Sequence, residues 1–290
     1  MKTVRIIPRL DIKGPNLVKG VHLEGLRVLG KPESFAQYYY ENGADELIYM
    51  DVVASLYERN SLLDIIEKTS RKIYIPLTVG GGLRSIDDIR SVLKAGADKV
   101  SLNTAAIRNP DLISEASRIF GSSTIVIAIE AIKKSDGSYE AYTDNGREKT
   151  GIDVFEWAIR VAELGAGEIM LTSIDREGTG NGFNLELTAK ISESVPTPVI
   201  AHGGPGKVSD ICDIITKGKA DAVSIASMLH YNFIKHHKFD DDFSSEGNIE
   251  FLKSKKGFLK IQDITLPEIK KYLTQRNIEC RYSGEAQTYV

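Results

Sequence analysis

Two carboxylates occupy matching positions in two similar stretches of this chain. Asp11 ends the run RIIPRLD, and Glu130 ends the run TIVIAIE, at an offset of about 120 residues. Paired carboxylates suit general acid–base catalysis, in which one group takes a proton and the other gives one. We therefore expect Asp11 and Glu130 to be catalytic. The alternative is that they are solvated or ion-paired carboxylates, for which Arg9 and Lys13 are nearby cations.

Glycine clusters follow two apolar runs at the same repeat offset. Glycine lets backbone N–H groups approach an anion closely, and a helix N-terminus adds a favourable dipole. The pattern predicts two phosphate sites, although single glycine pairs often make only tight turns. The residues expected in these sites are Gly81, Gly82, Asn103 and Thr104 in the first half, and Asp175, Gly203, Gly204 and Ser227 in the second.

Four charged residues stand at the starts of predicted strands: Arg5, Glu46, Lys99 and Glu168. Two positive and two negative charges at one end of a barrel can close a ring across its floor. Charges at strand starts are also common as simple stability features. The residues alone leave these two interpretations open.

Eight short apolar runs alternate with amphipathic segments, and together they must position these side chains. The runs predict strands at Val4–Leu10, Glu46–Met50, Ile73–Val79, Lys99–Leu102, Thr124–Ile129, Glu168–Thr172, Pro198–Ala201 and Ala222–Ile225. Eight strand–helix units predict an α/β fold, a (β/α)8 TIM barrel. The internal repeat indicates two similar half-barrels. An open doubly wound sheet is disfavoured because the first turn, DIKG, carries no dinucleotide fingerprint.

Composition limits the functional classes. The chain has 290 residues, 27% of them charged, and a net charge of −3, which gives no basic footprint for nucleic acid. We expect no membrane span, no disulfide framework, no metal site, no cofactor and a cytoplasmic location. We expect a single barrel domain over 1–290, with an extended loop insertion at 231–262 and a tail at 283–290.

Several motifs together resemble the HisF family, the cyclase subunits of imidazole glycerol phosphate synthase. They are RIIPRLDIKGPNLVKG, TVGGGLRS, DKVSLNTAAI, LTSIDREGTGNG and AHGGPGK. The resemblance implies that Asp11 is a general acid–base, that Lys19 and Gly178 bind substrate, and that the four strand-start charges gate ammonia. It also implies a HisH-like glutaminase partner, which Asp98 would face, and a phosphorylated small-molecule substrate.

The chain departs from the family pattern mainly on its chemical face. Glu130 replaces a catalytic Asp, Arg9 replaces a Cys, and His202 replaces a small residue. These changes beside an intact gate predict a HisF-like paralogue that serves acetamidino formation on a bacterial surface sugar, with an ATP-dependent sugar amidotransferase as a further partner. The alternatives are a genuine cyclase of histidine biosynthesis and a non-catalytic ammonia conduit that activates the glutaminase.

Overall fold

The computed structural model describes residues 3–53, 60–237 and 260–281. In this part of the chain, eight parallel strands close into a barrel with helices between them, so the predicted (β/α)8 fold is confirmed. The barrel strands are β1 (Arg5–Lys13), β4 (Leu47–Asp51), β5 (Leu77–Gly80), β6 (Lys99–Leu102), β7 (Ile125–Lys133), β10 (Glu168–Ser173), β11 (Val199–His202) and β12 (Ala222–Ile225).

The barrel is closed by parallel pairing at both junctions between its halves. β1 pairs with β12, with Arg5 opposite Ala222, and β6 pairs with β7, with Ser101 opposite Val126. The strands are nearly continuous apolar runs because helices cover their outer face and side chains fill the interior.

Helices follow the barrel strands, in the places where the sequence predicts amphipathic segments between the apolar runs. They are α1 (Pro32–Glu41), α2 (Asn60–Ser70), α3 (Ile86–Lys94), α4 (Thr104–Arg108), α5 (Asp111–Phe120), α6 (Val154–Glu163), α7 (Leu185–Ser194), α8 (Val208–Thr216), α9 (Ser227–His236) and α10 (Leu266–Thr274). Side chains fix several of their first turns. Ser85 accepts a hydrogen bond from the Asp88 amide at 3.2 Å, and Asp153 accepts one from the Phe155 amide at 2.8 Å.

Each half also carries a β-hairpin above the barrel, which the sequence pattern did not predict. The first is β2 (Asn16–Val21) and β3 (Glu24–Gly30), and the second is β8 (Tyr139–Thr143) and β9 (Glu148–Asp153). They continue from β1 and β7, the first strand of each half, by antiparallel pairing. The half-barrel repeat therefore extends to the loops at the mouth.

The predicted strand Ile73–Val79 was wrong over its first residues, since β5 begins at Leu77. Pro76 has no N–H for a ladder bond, and the Tyr74 side chain is 82% exposed. Of the predicted insertion at 231–262, the segment 231–236 belongs to α9. Residues 238–259 and the predicted tail at 283–290 lie outside the described residues.

The barrel interior has three layers along its axis. The strand-start charges form the floor, and an apolar layer above it contains Ile7, Ile48, Val126, Ala128, Met170, Ile200 and Ala222. Polar side chains form the third layer at the carboxyl ends of the strands. Residues two apart on one strand point to the same side. On β10, Glu168 therefore lies in the floor, Met170 in the apolar layer and Thr172 in the polar layer.

Candidate active site

The centre of the mouth is a buried ion pair on β1. The Arg9 Nε donates to Asp11 Oδ1 at 2.8 Å, and both side chains are almost fully buried. His230 on α9 holds the backbone here, because its Nε2 lies 3.0 Å from the Arg9 carbonyl oxygen while its Nδ1 lies 2.6 Å from the Tyr39 hydroxyl. These contacts therefore fix the backbone from which the Arg9 side chain extends, and Asp11 is the fixed partner of its guanidinium.

The charge on Asp11 is stabilised by its neighbours. Burial alone would raise the pKa of this carboxyl, but the Arg9 guanidinium and the Lys19 ammonium outweigh burial and hold it below its usual value. Asp11 is thus an ionised carboxylate at neutral pH, available to accept a proton.

Glu130 on β7 has the opposite character. Burial raises the pKa of its carboxyl from 4.5 to about 7, and Arg9 offsets only part of that effect. The residue two positions earlier on its strand is Ala128, where the first half has Arg9. Burial thus dominates at Glu130 and the neighbouring cations dominate at Asp11, so the two pKa values are moved apart, which is the arrangement expected of a base and an acid.

Several buried polar atoms in the mouth have no hydrogen-bond partner among the described residues. They belong to strands that surround the barrel axis: Arg9 Nη2, Glu130 Oε2, Thr172 Oγ1, His202 Nε2 and Ser224 Oγ. An unsatisfied buried polar atom costs free energy, so such a group in a folded protein requires an explanation. A polar ligand at the mouth would satisfy these atoms.

The glycine cluster after β5 opens into a cavity of about 260 Å³. A side chain at Gly81 is excluded, because its φ is +104° and a Cβ there would lie 2.3 Å from the Asp51 carbonyl oxygen. Predicted and unpredicted residues line this cavity together: Gly81, Gly82, Asn103, Thr104 and Glu130, with Arg84, Arg108 and Arg147. The three arginines were missed because they lie on separate segments, and no spacing in the sequence connects them.

In the second half, Gly203 and Gly204 follow β11, and Ser227 begins α9. A Cβ at Gly204, whose φ is +113°, would lie 2.3 Å from the Gly182 carbonyl oxygen. Both clusters therefore place bare backbone at the mouth, on opposite sides of the barrel. Such backbone is suited to cradle an anion.

The remaining predicted binding residues already have protein contacts. Lys19 on β2 forms a buried ion pair with Glu177, and Glu177 also accepts from the Leu23 amide. Asp175 accepts from the Lys133 amide at 2.8 Å. Gly178 lies against the first hairpin, since a Cβ there would be 2.9 Å from the Gly20 oxygen. These contacts join the loop after β10 to the first hairpin and to the end of β7.

The four strand-start charges meet in a closed ring at the floor. Arg5 Nη1 lies 2.6 Å from Glu46 Oε1 and 2.5 Å from Glu168 Oε1. Lys99 Nζ lies 3.1 Å from Glu46 Oε2 and 2.9 Å from Glu168 Oε2. Each cation thus contacts both carboxylates, and the ring closes the barrel beneath the apolar layer.

Within the described ranges, no group of three or more His, Cys, Asp or Glu side chains is arranged to hold a metal ion. His230 is hydrogen-bonded to the Tyr39 hydroxyl and to the Arg9 carbonyl oxygen. Over 3–53, 60–237 and 260–281, no helix is long and apolar enough to cross a bilayer.

A TIM barrel of two similar halves, with a glycine cluster at the mouth of each half, defines the structural class of this protein. The family model described as "Histidine biosynthesis protein" matches residues 5–235. The chain belongs to this family and, by the relatives described next, to its HisF branch.

Three relatives are each named imidazole glycerol phosphate synthase subunit HisF. The protein of Legionella pneumophila is 59% identical over 210 residues, covering 72% of this chain and 99% of the relative. That of Alkaliphilus metalliredigens is 50% identical, covering 80% and 92%. That of Methanocaldococcus jannaschii is 45% identical, covering 97% and 99%.

Proposed function

We propose that this chain is the cyclase subunit of an imidazole glycerol phosphate synthase. In this reaction ammonia attacks a phosphoribulosyl formimino nucleotide, and the products are imidazole glycerol phosphate and an aminoimidazole carboxamide nucleotide. The observation that carries the proposal is the pair Asp11 and Glu130, two buried carboxyls at repeat positions with pKa values moved in opposite directions. Proton transfers in both directions accompany the attack, ring closure and departure of the leaving group.

The environments assign the roles. Asp11 is ionised and takes a proton from the attacking nitrogen, because Arg9 and Lys19 stabilise its charge. Glu130 keeps its proton up to a pH of about 7 and donates it to the departing group. Arg9 Nη2, which has no hydrogen-bond partner in the described part of the chain, would donate to oxygen as negative charge develops there.

The glycine clusters suit a substrate with a phosphate at each end. One cluster includes Gly81 and Gly82 and is lined by arginines, and the other includes Gly203 and Gly204. A molecule held at both clusters would lie across the axis, over Asp11 and Glu130. Holding both ends fixes the reacting atoms near the two carboxyls, which is how positioning contributes to rate.

A glutaminase partner at the floor would supply the ammonia. The ring of Arg5, Glu46, Lys99 and Glu168 separates the barrel interior from this face. The neighbouring surface carries a concavity of about 360 Å³ that includes the exposed Tyr74 and Asp98. An exposed aromatic side chain beside a concavity is typical of a protein interface. We propose this face as the docking site.

The relatives' names support the cyclase alternative rather than the predicted sugar-modification paralogue. One observation favours the paralogue as a second candidate, because Arg9 neutralises Asp11 and Glu130 carries an extra methylene compared with the family's Asp. A displacement of about 1 Å at a reacting group can lower a rate by roughly 100-fold. Neither the relatives nor the described contacts support a sugar amidotransferase partner.

The deciding experiment is an assay of the purified chain with the nucleotide and excess ammonium salt, followed by detection of both products. The cyclase proposal expects turnover that needs ammonia and not glutamine. A Glu130→Asp variant is the matched comparison, since it restores the family's residue. If neither protein turns over while the glutaminase is still bound and activated, the cyclase proposal is refuted and the paralogue or conduit reading takes its place.

A further inference from the structure

His202 is a buried imidazole at the mouth with one nitrogen unaccounted for. It ends β11, where it lies opposite Thr172 of β10 and Ser224 of β12. Its side chain is almost fully buried. The family resemblance assigns it no role, since the family has a small residue at this position.

The contacts of the ring fix its tautomer. Its Nδ1 lies 3.1 Å from the Ser224 carbonyl oxygen, which can only accept, so Nδ1 carries the proton. Burial, reinforced by the Arg9 charge, lowers the pKa of His202 well below its usual value, and the ring is neutral. Its Nε2 is therefore a hydrogen-bond acceptor, and it has no partner among the described residues.

The neighbours of Nε2 are hydroxyl groups, which can accept hydrogen bonds as well as donate them. Thr172 Oγ1 and Ser224 Oγ, the hydroxyls on the two flanking strands, are buried without partners in the described part of the chain. Three strands thus present acceptor atoms side by side at one level of the barrel. A ligand with several N–H or O–H groups would satisfy all three.

The layer below this site is apolar on the same three strands. Met170, Ile200 and Ala222 each lie two residues before one of the polar positions, and they form part of the interior apolar cluster. An ion pays a large desolvation penalty in such a layer, whereas a small neutral molecule does not. Among the nearby charges, Arg9 and Lys19 also disfavour an ammonium ion, whereas Asp11 favours one, so burial is the main cause that selects the neutral form.

We propose that His202, with Thr172 and Ser224, forms the site that receives ammonia on the mouth side of the apolar layer. This inference rests on the proposed function. The three acceptor atoms bind ammonia N–H groups, which leaves the nitrogen lone pair free to attack. Asp11 lies near enough to His202 to interact with it electrostatically, so the bound nitrogen faces the base that takes its proton.

Binding is tested first without catalysis, by nuclear magnetic resonance of the full chain labelled with ¹⁵N at histidine. Ammonium chloride is added at a pH where ammonia is the main form, and sodium chloride at equal ionic strength is the control. We expect a saturable shift of the His202 Nε2 signal with ammonia alone. The same response to both salts, or no response, overturns the proposal.

Kinetics provide the second test. His202→Leu fills a similar volume without an acceptor, and we expect it to raise KM for ammonia about tenfold, the loss of roughly one hydrogen bond, with KM for the nucleotide unchanged. His202→Gln keeps an acceptor oxygen and stays within about threefold of the native KM. His237→Leu, a control at a half-buried histidine just after the outer helix α9, changes neither constant.

The outcomes separate the two proposals. If KM for the nucleotide rises as much as KM for ammonia, or if Leu and Gln behave alike, His202 is a structural residue and the inference is refuted. If the native chain has no turnover at all, the cyclase proposal fails, and the resonance titration still decides whether His202 binds ammonia. Circular dichroism of each variant shows whether it folds.

Discussion

The floor and the mouth of this barrel use charged residues in opposite ways. At the floor, Arg5 and Lys99 each contact both Glu46 and Glu168, and the ring is closed. At the mouth, Arg9 has a single partner for its Nε and leaves Nη2 free, and Glu130 Oε2 is also without a partner in the described residues. The charged groups of the floor pair with one another, whereas the mouth keeps polar atoms that have no partner among the described residues.

We infer from this difference that the charges of the floor stabilise the structure and that the charges of the mouth act in the chemistry. A ring in which each cation contacts both carboxylates needs no further group and forms a stable barrier. Unpaired atoms in a buried site cost free energy that a bound substrate recovers. Variants at the mouth should therefore change chemistry, and variants at the floor should change coupling and partner binding.

The largest expected effect is at Asp11. Asp11→Asn removes the base while keeping a hydrogen-bond acceptor for Arg9, and we expect ammonia-dependent turnover to fall by about 10²–10⁴-fold. Steady-state kinetics with ammonium salt measure this. The exposed Asp87→Asn, which loses a surface pair with Arg90, is the control and keeps native turnover. Undiminished turnover in Asp11→Asn would favour the conduit reading.

Glu130→Gln tests the second carboxyl through pH. The folded protein holds the Glu130 proton up to about pH 7, whereas the unfolded chain releases it near 4.5, so this group destabilises the fold as pH rises between those values. Relative to Glu130→Gln, the native protein should lose about 3 kcal/mol of unfolding free energy across that window. Urea unfolding at both ends of the window measures the loss.

The same variant has a kinetic signature. If Glu130 is the acid, native turnover declines above a pH of about 7, and the Gln variant loses this limb together with most of its rate. A native pH profile that is flat through pH 7 would contradict the assignment. So would an unfolding free energy that changes with pH identically in both proteins.

At the floor, Lys99→Met removes one cation and leaves the two carboxylates with Arg5 alone. We expect a loss of about 2 kcal/mol in unfolding free energy, since largely buried carboxylates lose a charged partner. Turnover with added ammonium salt should stay within about twofold of native. The product formed per glutamine hydrolysed with the glutaminase should fall, and an unchanged ratio would refute the gate assignment.

The smallest effect on the fold is expected at Tyr74. Its side chain is 82% exposed, so Tyr74→Ala should change unfolding free energy by less than about 0.5 kcal/mol. We expect it to weaken glutaminase binding about tenfold, as loss of an interface aromatic does. Ile159→Ala, on the outer helix α6, is the matched control with a native dissociation constant. Equal binding by both variants would place the partner elsewhere.

The barrel itself could be predicted from sequence because its strands are apolar runs at regular spacing. The start of β5 could not, because KIYIP continues the apolar pattern although Pro76 cannot join the ladder. The hairpins were missed for a related reason. Residues 16–30 and 139–153 mix charged and apolar side chains, and their pairing with β1 and β7 is a tertiary contact that local periodicity does not encode.

The site was predictable where the repeat marked it, as at Asp11, Glu130 and the glycine clusters. The partner of each side chain was not. Arg9 was one of two candidate partners for Asp11, and only the strand geometry selects it over the exposed Lys13. The pairing of Lys19 with Glu177 joins residues far apart in the chain, and no motif connects them.

The difference between Arg9 and Ala128 has a consequence for how a duplicated fold acquires division of labour. Two halves that began as copies would hold two equivalent acids, and neither would have a preferred direction of proton flow. A single guanidinium beside one carboxyl lowers the pKa of that carboxyl relative to the pKa of the other, so that the two are no longer equivalent. Exchanging these two side chains, Arg9→Ala together with Ala128→Arg, should therefore reverse which half donates and which half receives.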